Sequence, residues 1–365
     1  MSIRRWLGIS AGVVLLSALG VPAASAGPEV SPVPSTLPVG AAPRLPYVDV
    51  AAKKIVDGSR RVSIAGLAGT VTHLLKVDGG YVVGRNSGAA AWLDVKPGLA
   101  FITTSGGRSS ITSNWFWPWD ETIFSGVRVS ARGDKIVFNT AQVDDQYTYR
   151  DTVIMEVPSG RILHRRTFSV RPDLLGFDGD RVFLGVGVRN PEGQIFAVRA
   201  LWWTPGTQAT EVLESQNHGT MSADMSARQY VSYRAPEGGG EVELWVAPIP
   251  PRAGTTWDAG FESQYGVWSL DDLSVAGTGP MTLGEDYTES FSVHTASDGA
   301  HRLSVYVEGV PQITWESNGS LLIMTGTAQD GFRLIRCSLT GVCQRVGPLS
   351  PTKYGPYVIA DRRNS

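Results

Sequence analysis

Gly133-Asp134-Lys135-Ile136-Val137-Phe138 returns about 46 residues later as Gly179-Asp180-Arg181-Val182-Phe183-Leu184. Looser copies stand at Ala227-Arg228-Gln229-Tyr230-Val231 and Gly319-Ser320-Leu321-Leu322-Ile323. Each copy is a turn followed by an apolar, β-rich run. A period in the 40s made of short strands marks a β-propeller, because one such unit leaves an apolar face that only a neighbouring unit can cover. The phrase fixes an architecture and not an activity, since propellers serve binding, scaffolding and catalysis alike.

Phasing outward from the phrase gives six four-stranded blades over residues 47–347. Blade one starts near Thr70, with Val71-Thr72-His73-Leu74-Leu75 innermost. Blade two runs from about Gly126 to Val170, and blade three from Pro172 to Leu213 with Ala200-Leu201-Trp202-Trp203 as its third strand. Blade four starts at His218 and has Val242-Glu243-Leu244-Trp245-Val246 third. The interval from Gln229 to Ser320 is about two periods, so a fifth blade lies between, over Gly266–Tyr306. Blade six runs from Ile313 to Val346. Tyr47-Val48-Asp49-Val50 and Arg61-Val62-Ser63-Ile64 belong to none of these. The economical expectation is that one of them pairs with the last blade and closes the ring. If they form a blade of their own, the count is seven. No stretch has a 3.6-residue period, so helix is not expected.

The chain has 365 residues, 42% of them hydrophobic, enough for a large single core. Arg4 and Arg5, then an apolar stretch from Leu7 to Val21, then Ala24-Ser25-Ala26 read as a secretory signal over residues 1–26. Export by the general or the twin-arginine route stays open. Cleavage is expected to leave Gly27 first. Residues 27–46 are rich in proline and read as an extended, mobile linker, and residues 348–365 as a C-terminal tail. No later run is long enough for a membrane-spanning helix. Removing Arg4 and Arg5 takes the formal charge from −2 to about −4, which is no footprint for nucleic acid.

Cys337 and Cys343 are the only cysteines. In an exported chain two cysteines read as one disulfide, here across a five-residue turn between two short β runs. The alternative, a metal pair, has no His or further Cys beside it.

Pro46-Tyr47-Val48-Asp49 and Leu75-Lys76-Val77-Asp78-Gly79-Gly80-Tyr81-Val82-Val83 resemble the opening of secreted WD40-like or TolB-like propellers of high-GC Gram-positive bacteria. Leu334-Ile335-Arg336-Cys337, Gly341 and Cys343 resemble their last hairpin. The resemblance implies a propeller fold and an extracellular location. It carries over no catalytic residue. Trp119-Asp120 and Trp257-Asp258 are WD pairs by letter only, since neither closes a third strand.

Candidate site residues are few. His73 and His218 fall on innermost strands, where two imidazoles facing the channel would act as ligands or as a base; capping a carbonyl is the plainer role. Asp144-Asp145, Asp271-Asp272 and Glu285-Asp286 are carboxylate pairs of a kind that glycoside cleavage uses, but adjacent residues in a strand diverge and in a loop meet solvent. No calcium loop and no nucleophile elbow is present. No cofactor or metal is implied. The most unusual segment is Asn114-Trp115-Phe116-Trp117-Pro118-Trp119-Asp120-Glu121. Trp115, Trp117 and Trp119 alternate onto one side of an extended chain, making either a buried cap or an exposed platform that binds sugars or a partner. Trp257, in the insert 250–265, has the same two readings. The expected function is that of an exported, monomeric, non-catalytic propeller binding a protein or a cell-envelope polysaccharide through the loops of one face. The alternative is a hydrolase or lyase for carbohydrate or lactone at the channel mouth, which needs at least two ionisable groups converging on one point.

Overall fold

The computed structural model describes residues 27–87, 96–111, 122–142, 150–168, 172–189, 195–207, 209–216, 219–224, 229–234, 243–248, 257–258, 263–269, 271, 273–278, 288–308, 312–327, 331–350 and 357–360. Among these the chain is all β, with no helix, and forms seven small sheets. Six are the six expected blades, each an antiparallel meander. Their innermost strands are Thr70–Val77, Thr122–Val129, Pro172–Phe177, Gly219–Asp224, Ser263–Trp268 and Gln312–Ser317. Successive inner strands pack against one another around the ring.

The run that ends the repeated phrase is continuously apolar because a blade is covered on both faces. Ile136 and Phe138 join the layer shared with blade one, while Val137 joins the layer shared with blade three. Val182 and Leu184 then face blade two, and Phe183 faces away with Trp202. Leu321 and Ile323 pack towards blade five, and Leu322 and Met324 towards the closing sheet. A strand buried on one face would alternate; one buried on both faces reads as a continuous run. The turn ahead of the phrase requires glycine, since Gly133 and Gly179 have φ of 75° and 95°. Between the first and second strands the register shifts in all six blades, at Val71/His73, Phe138/Asn139, Leu174/Gly176, Thr220/Ser222, Ser263/Val267 and Trp315/Ser317. A bulge at this place adds local twist to each blade.

The ring closes differently from the economical expectation. Tyr47–Asp49, Lys54–Asp57 and Arg60–Ser63 make a sheet of their own, and its innermost strand is Tyr357–Ile359 from the other end of the chain. The N-terminal strands therefore make a seventh blade rather than joining the sixth. Residues 357–360 are ring and not tail, because only a strand from the chain's end can fill the innermost place that three N-terminal strands leave vacant. The Ile359 amide donates to Gln312 Oε1 at 3.3 Å, joining this blade to blade six.

The expected mobile linker is also ordered. Glu29 and Val30 pair in parallel with Ser304 and Val305 on the outer edge of blade five, and Val39 bridges Arg345 on the outer edge of blade six. Proline suits such a strap: an edge partner needs only alternate backbone groups for pairing. Arg44 ends the strap with its amide 2.6 Å from Glu316 Oε1.

Cys337 and Cys343 form a disulfide across the last hairpin of blade six. Reducing it, or replacing Cys343 by Ser, is expected to lower stability by roughly 2 kcal/mol, the chain-entropy value for so short a loop. Thermal melts with and without reductant measure it, and equal melting temperatures would refute it.

Candidate functional site

The two faces of the ring are built differently. One carries the turns between first and second and between third and fourth strands. Most are tight and self-satisfied. Asp78-Gly79 and Asn318-Gly319 turn in two residues. Ser130 Oγ donates to Asp134 at 2.8 Å, Ser269 Oγ to Asp271 at 2.7 Å, and Arg181 Nε to Asp178 at 2.9 Å. Burial alone would push the Asp134 carboxyl up; the hydrogen bonds from Ser130 and the backbone, with Arg132 nearby, outweigh it and hold it below the usual range. Blade-to-blade bonds tie this face together: Asp78 N–H donates to Gly133 O at 2.9 Å and Lys135 Nζ to Gly179 O at 2.9 Å. The polar groups here make turns. Asp271 belongs to this class, so the pair Asp271-Asp272 is not set for catalysis at its described member.

The opposite face carries the second-to-third connections and the crossings between blades. These include most of the long connections, Ser87 to Lys96, Ser110 to Thr122, Gln142 to Arg150, Arg234 to Glu243, Thr278 to Thr288 and Arg345 to Tyr357, beside short ones such as Phe168 to Pro172 and Gln216 to Gly219. The segment with Trp115, Trp117 and Trp119 is one of them, and so are those with Asp144-Asp145 and Glu285-Asp286. These residues lie outside the described ones. On the turn face only blade four has a connection of comparable length, from Pro248 to Trp257.

Beneath the loop face, blades two and three hold a polar cluster that the sequence reading did not single out. Asn139 and Thr152 are cross-strand partners. Thr152 Oγ1 donates to Asn139 Oδ1 at 2.8 Å, and Asn139 Nδ2 reaches across the blade gap to Pro172 O at 2.7 Å. Asp151, 2% exposed, accepts from Arg165 Nε at 2.8 Å and from Thr167 Oγ1. A carboxylate so deeply buried has to be paired. Here it is, with the outer strand supplying both partners. The cluster fixes where the inner strand of blade three begins.

His73 is half-buried at the loop-face end of its inner strand, with Nδ1 3.0 Å from Thr72 Oγ1 and its Cβ packed on Gly84. Its proposed partner His218 lies outside the described residues. Trp257 is described, at the turn-face end of blade four. It is half of the two-residue outer strand of blade four, paired with Val246. Its Nε1 donates to Ala296 O at 2.9 Å and its ring lies 5.6 Å from that of His294. The indole joins blade four to the last hairpin of blade five. His294 is in turn 5.5 Å from His301, edge to face. Burial, with His301 beside it, pushes the His294 imidazole below its ordinary range. Among the described residues no group of three or more His, Cys, Asp or Glu is placed to hold a metal.

No family model matches the chain, and no curated protein sequence matches it. Solved structures do. The propeller domain of the Trilobed protease from Pyrococcus furiosus aligns over 77% of this chain and 84% of its own, at 10% identity and a TM-score of 0.49. TolB from Acinetobacter baumannii aligns over 78% and 67%, at 11% identity and a TM-score of 0.46. A prolyl endopeptidase aligns over 78% of this chain at 12% identity and a TM-score of 0.43, and the chain spans 51% of that protein's length.

Proposed function

We propose that this chain is an exported β-propeller that binds a protein or a cell-envelope polysaccharide through its loop face, and that it belongs with the secreted WD40-like and TolB-like propellers it resembles. The observation that carries the reading is the inequality of the two faces. On the turn face, Ser130, Asp134 and Lys135 and the Asp78 amide are used in making turns and in joining blades. On the other, most of the chain's long connections join strands whose ends are tied by hydrogen bonds such as Asn139 to Pro172, the arrangement by which loops on a scaffold make binding sites. One of the two longest crossings there, from Ser110 to Thr122, brings Trp115, Trp117 and Trp119. Tryptophan supplies large contact area at a small entropy loss, for a sugar ring or a protein. Catalysis needs two converging ionisable groups; of the histidine pair named for it only His73 is described, and its ring bonds a neighbouring threonine.

Replacing Trp117 by Ala tests the reading. As part of a platform it should leave the melting temperature within about 2 °C and lower binding to isolated cell-wall polysaccharide, or to the envelope protein that the wild-type chain retains, by tenfold or more, about 1.4 kcal/mol. A loss of about 3–5 kcal/mol in stability would instead identify a buried cap and end the proposal at this site.

A further inference from the structure

The strap begins in a cradle assembled from two blades. Gly27 N donates to His301 Nδ1 at 3.0 Å, and the opposite ring nitrogen, Nε2, lies 2.8 Å from Ser304 Oγ. An imidazole that accepts at Nδ1 is neutral and carries its proton on Nε2, so Ser304 fixes the tautomer that receives Gly27. The Cα of Gly27 is pressed on the backbone of blade five: an added Cβ would fall 2.3 Å from the carbonyl carbon of Arg302. No side chain fits there, and glycine is the residue for so close an approach. Pro28 O then accepts from Ser304 N–H at 2.9 Å, and Glu29 and Val30 continue as an added parallel strand. From blade six the turn inside the disulfide loop closes over the strap. A Cβ on Gly341 would lie 3.2 Å from both Pro28 Cβ and Val30 Cγ1.

The sequence marks the same point independently. Ala24-Ser25-Ala26 ends where a signal peptide would be cut, one bond before the residue the cradle holds. We propose that cleavage follows Ala26 and that the α-amino group it frees is bound by His301 in this cradle, so that maturation locks the strap across blades five and six. The proposal rests on the exported reading above. The bond step is a hydrolysis by a signal-peptide endopeptidase: water adds across Ala26–Gly27, leaving a carboxylate on Ala26 and an amine on Gly27. The freed amine brings more than one N–H to a site whose centre is an imidazole lone pair.

Three comparisons test it. The exported protein is expected to begin at Gly27 by intact mass. Retention of the uncut chain inside the cell would remove the exported reading, whereas export with a cut elsewhere would leave that reading and overturn this one. Amide exchange then tests the lock, with Ser304, whose N–H meets Pro28, read against Arg345, whose N–H meets Pro38 at 3.0 Å. Relative to the chain beginning at Gly27, the variants Gly27→Ala and His301→Ala, and a chain carrying Ala-Ser-Ala ahead of Gly27, should each exchange at Ser304 about tenfold faster with Arg345 unchanged, the loss of one hydrogen-bonded anchor. If the extended chain protects Ser304 as well as the mature one, His301 does not select the free amine. If Gly27→Ala and His301→Ala are both within about twofold of the unaltered protein, the cradle does not hold the strap.

Discussion

A chain ending at residue 356 should lose the cooperative unfolding transition of the ring. The nine residues removed include Tyr357–Ile359, the innermost strand of the closing blade. Tyr357 is 2% exposed and meets Tyr47 edge-on at 5.6 Å, and its hydroxyl donates to Pro348 O at 2.6 Å. Burial pushes its phenol well above the ordinary range. Val358 belongs to the layer shared with blade one and Ile359 to the layer shared with blade six. Deleting the strand opens both layers and leaves unpaired edges where the ring met itself. Replacing Tyr357 alone by Ala should destabilise by about 3–5 kcal/mol, the usual range for a fully buried aromatic. Calorimetry of the truncated and full chains decides it. A truncated chain that melts cooperatively within a few degrees of the full one would mean that the three N-terminal strands stand without their inner partner.

That strand shows why part of the fold could be read from sequence and part could not. The blade phrases were legible because each is long enough to have a pattern and each is buried on both faces, as the split of Ile136, Val137 and Phe138 between two layers shows. Blade five was placed by interval alone, and its strands Ser263–Trp268, Ser274–Thr278, Thr288–Thr295 and His301–Glu308 fall where the period put them. A three-residue strand such as Tyr357–Ile359 has no period to read. Its identity lies in a partner about 310 residues away, and only long-range pairing reveals it. The strap was hidden by composition: proline-rich chain reads as linker, although two paired residues and one bridge suffice to hold it on two edges. The polar cluster under the loop face was invisible for a related reason. Asp151 beside Arg150 and Thr152 looks like a solvated strand position; what buries it is Arg165 and Thr167 on the next strand. Trp257 reads as a loop residue because a two-residue outer strand gives no signal of its own.

Replacing Arg336 by Ala should destabilise the protein by about 3–5 kcal/mol, because it strands a buried charge. Glu316 is the extra residue at the bulge between the first two strands of blade six, and the bulge sends it to the face opposite Trp315. Its side chain is 1% exposed. Arg336, from the third strand, holds it in a two-pronged pair, Nε to Oε2 and Nη2 to Oε1, the latter at 2.8 Å. The pair then reaches outward. Arg336 donates to the carbonyls of Ala41 and Ala42 at 3.3 and 3.2 Å, and Glu316 accepts from Arg44 N–H. This one ion pair therefore anchors the strap's far end just before the chain enters the closing blade, while His301 holds its beginning. The stability it confers depends on charge compensation, not on the strap contacts alone, and a double-mutant cycle separates the two. Glu316→Gln removes the charge yet keeps an acceptor for Arg44, so Arg336→Ala combined with Glu316→Gln should be more stable than Arg336→Ala by itself, with a coupling in the range of about 0.5–3 kcal/mol found for contacting residues. Limited proteolysis within residues 31–44 reports the strap directly. If Arg336→Ala loses less than about 1 kcal/mol, or if neutralising Glu316 recovers nothing, Glu316 is not stranded by the loss and the anchor lies in the backbone pairing of the strap.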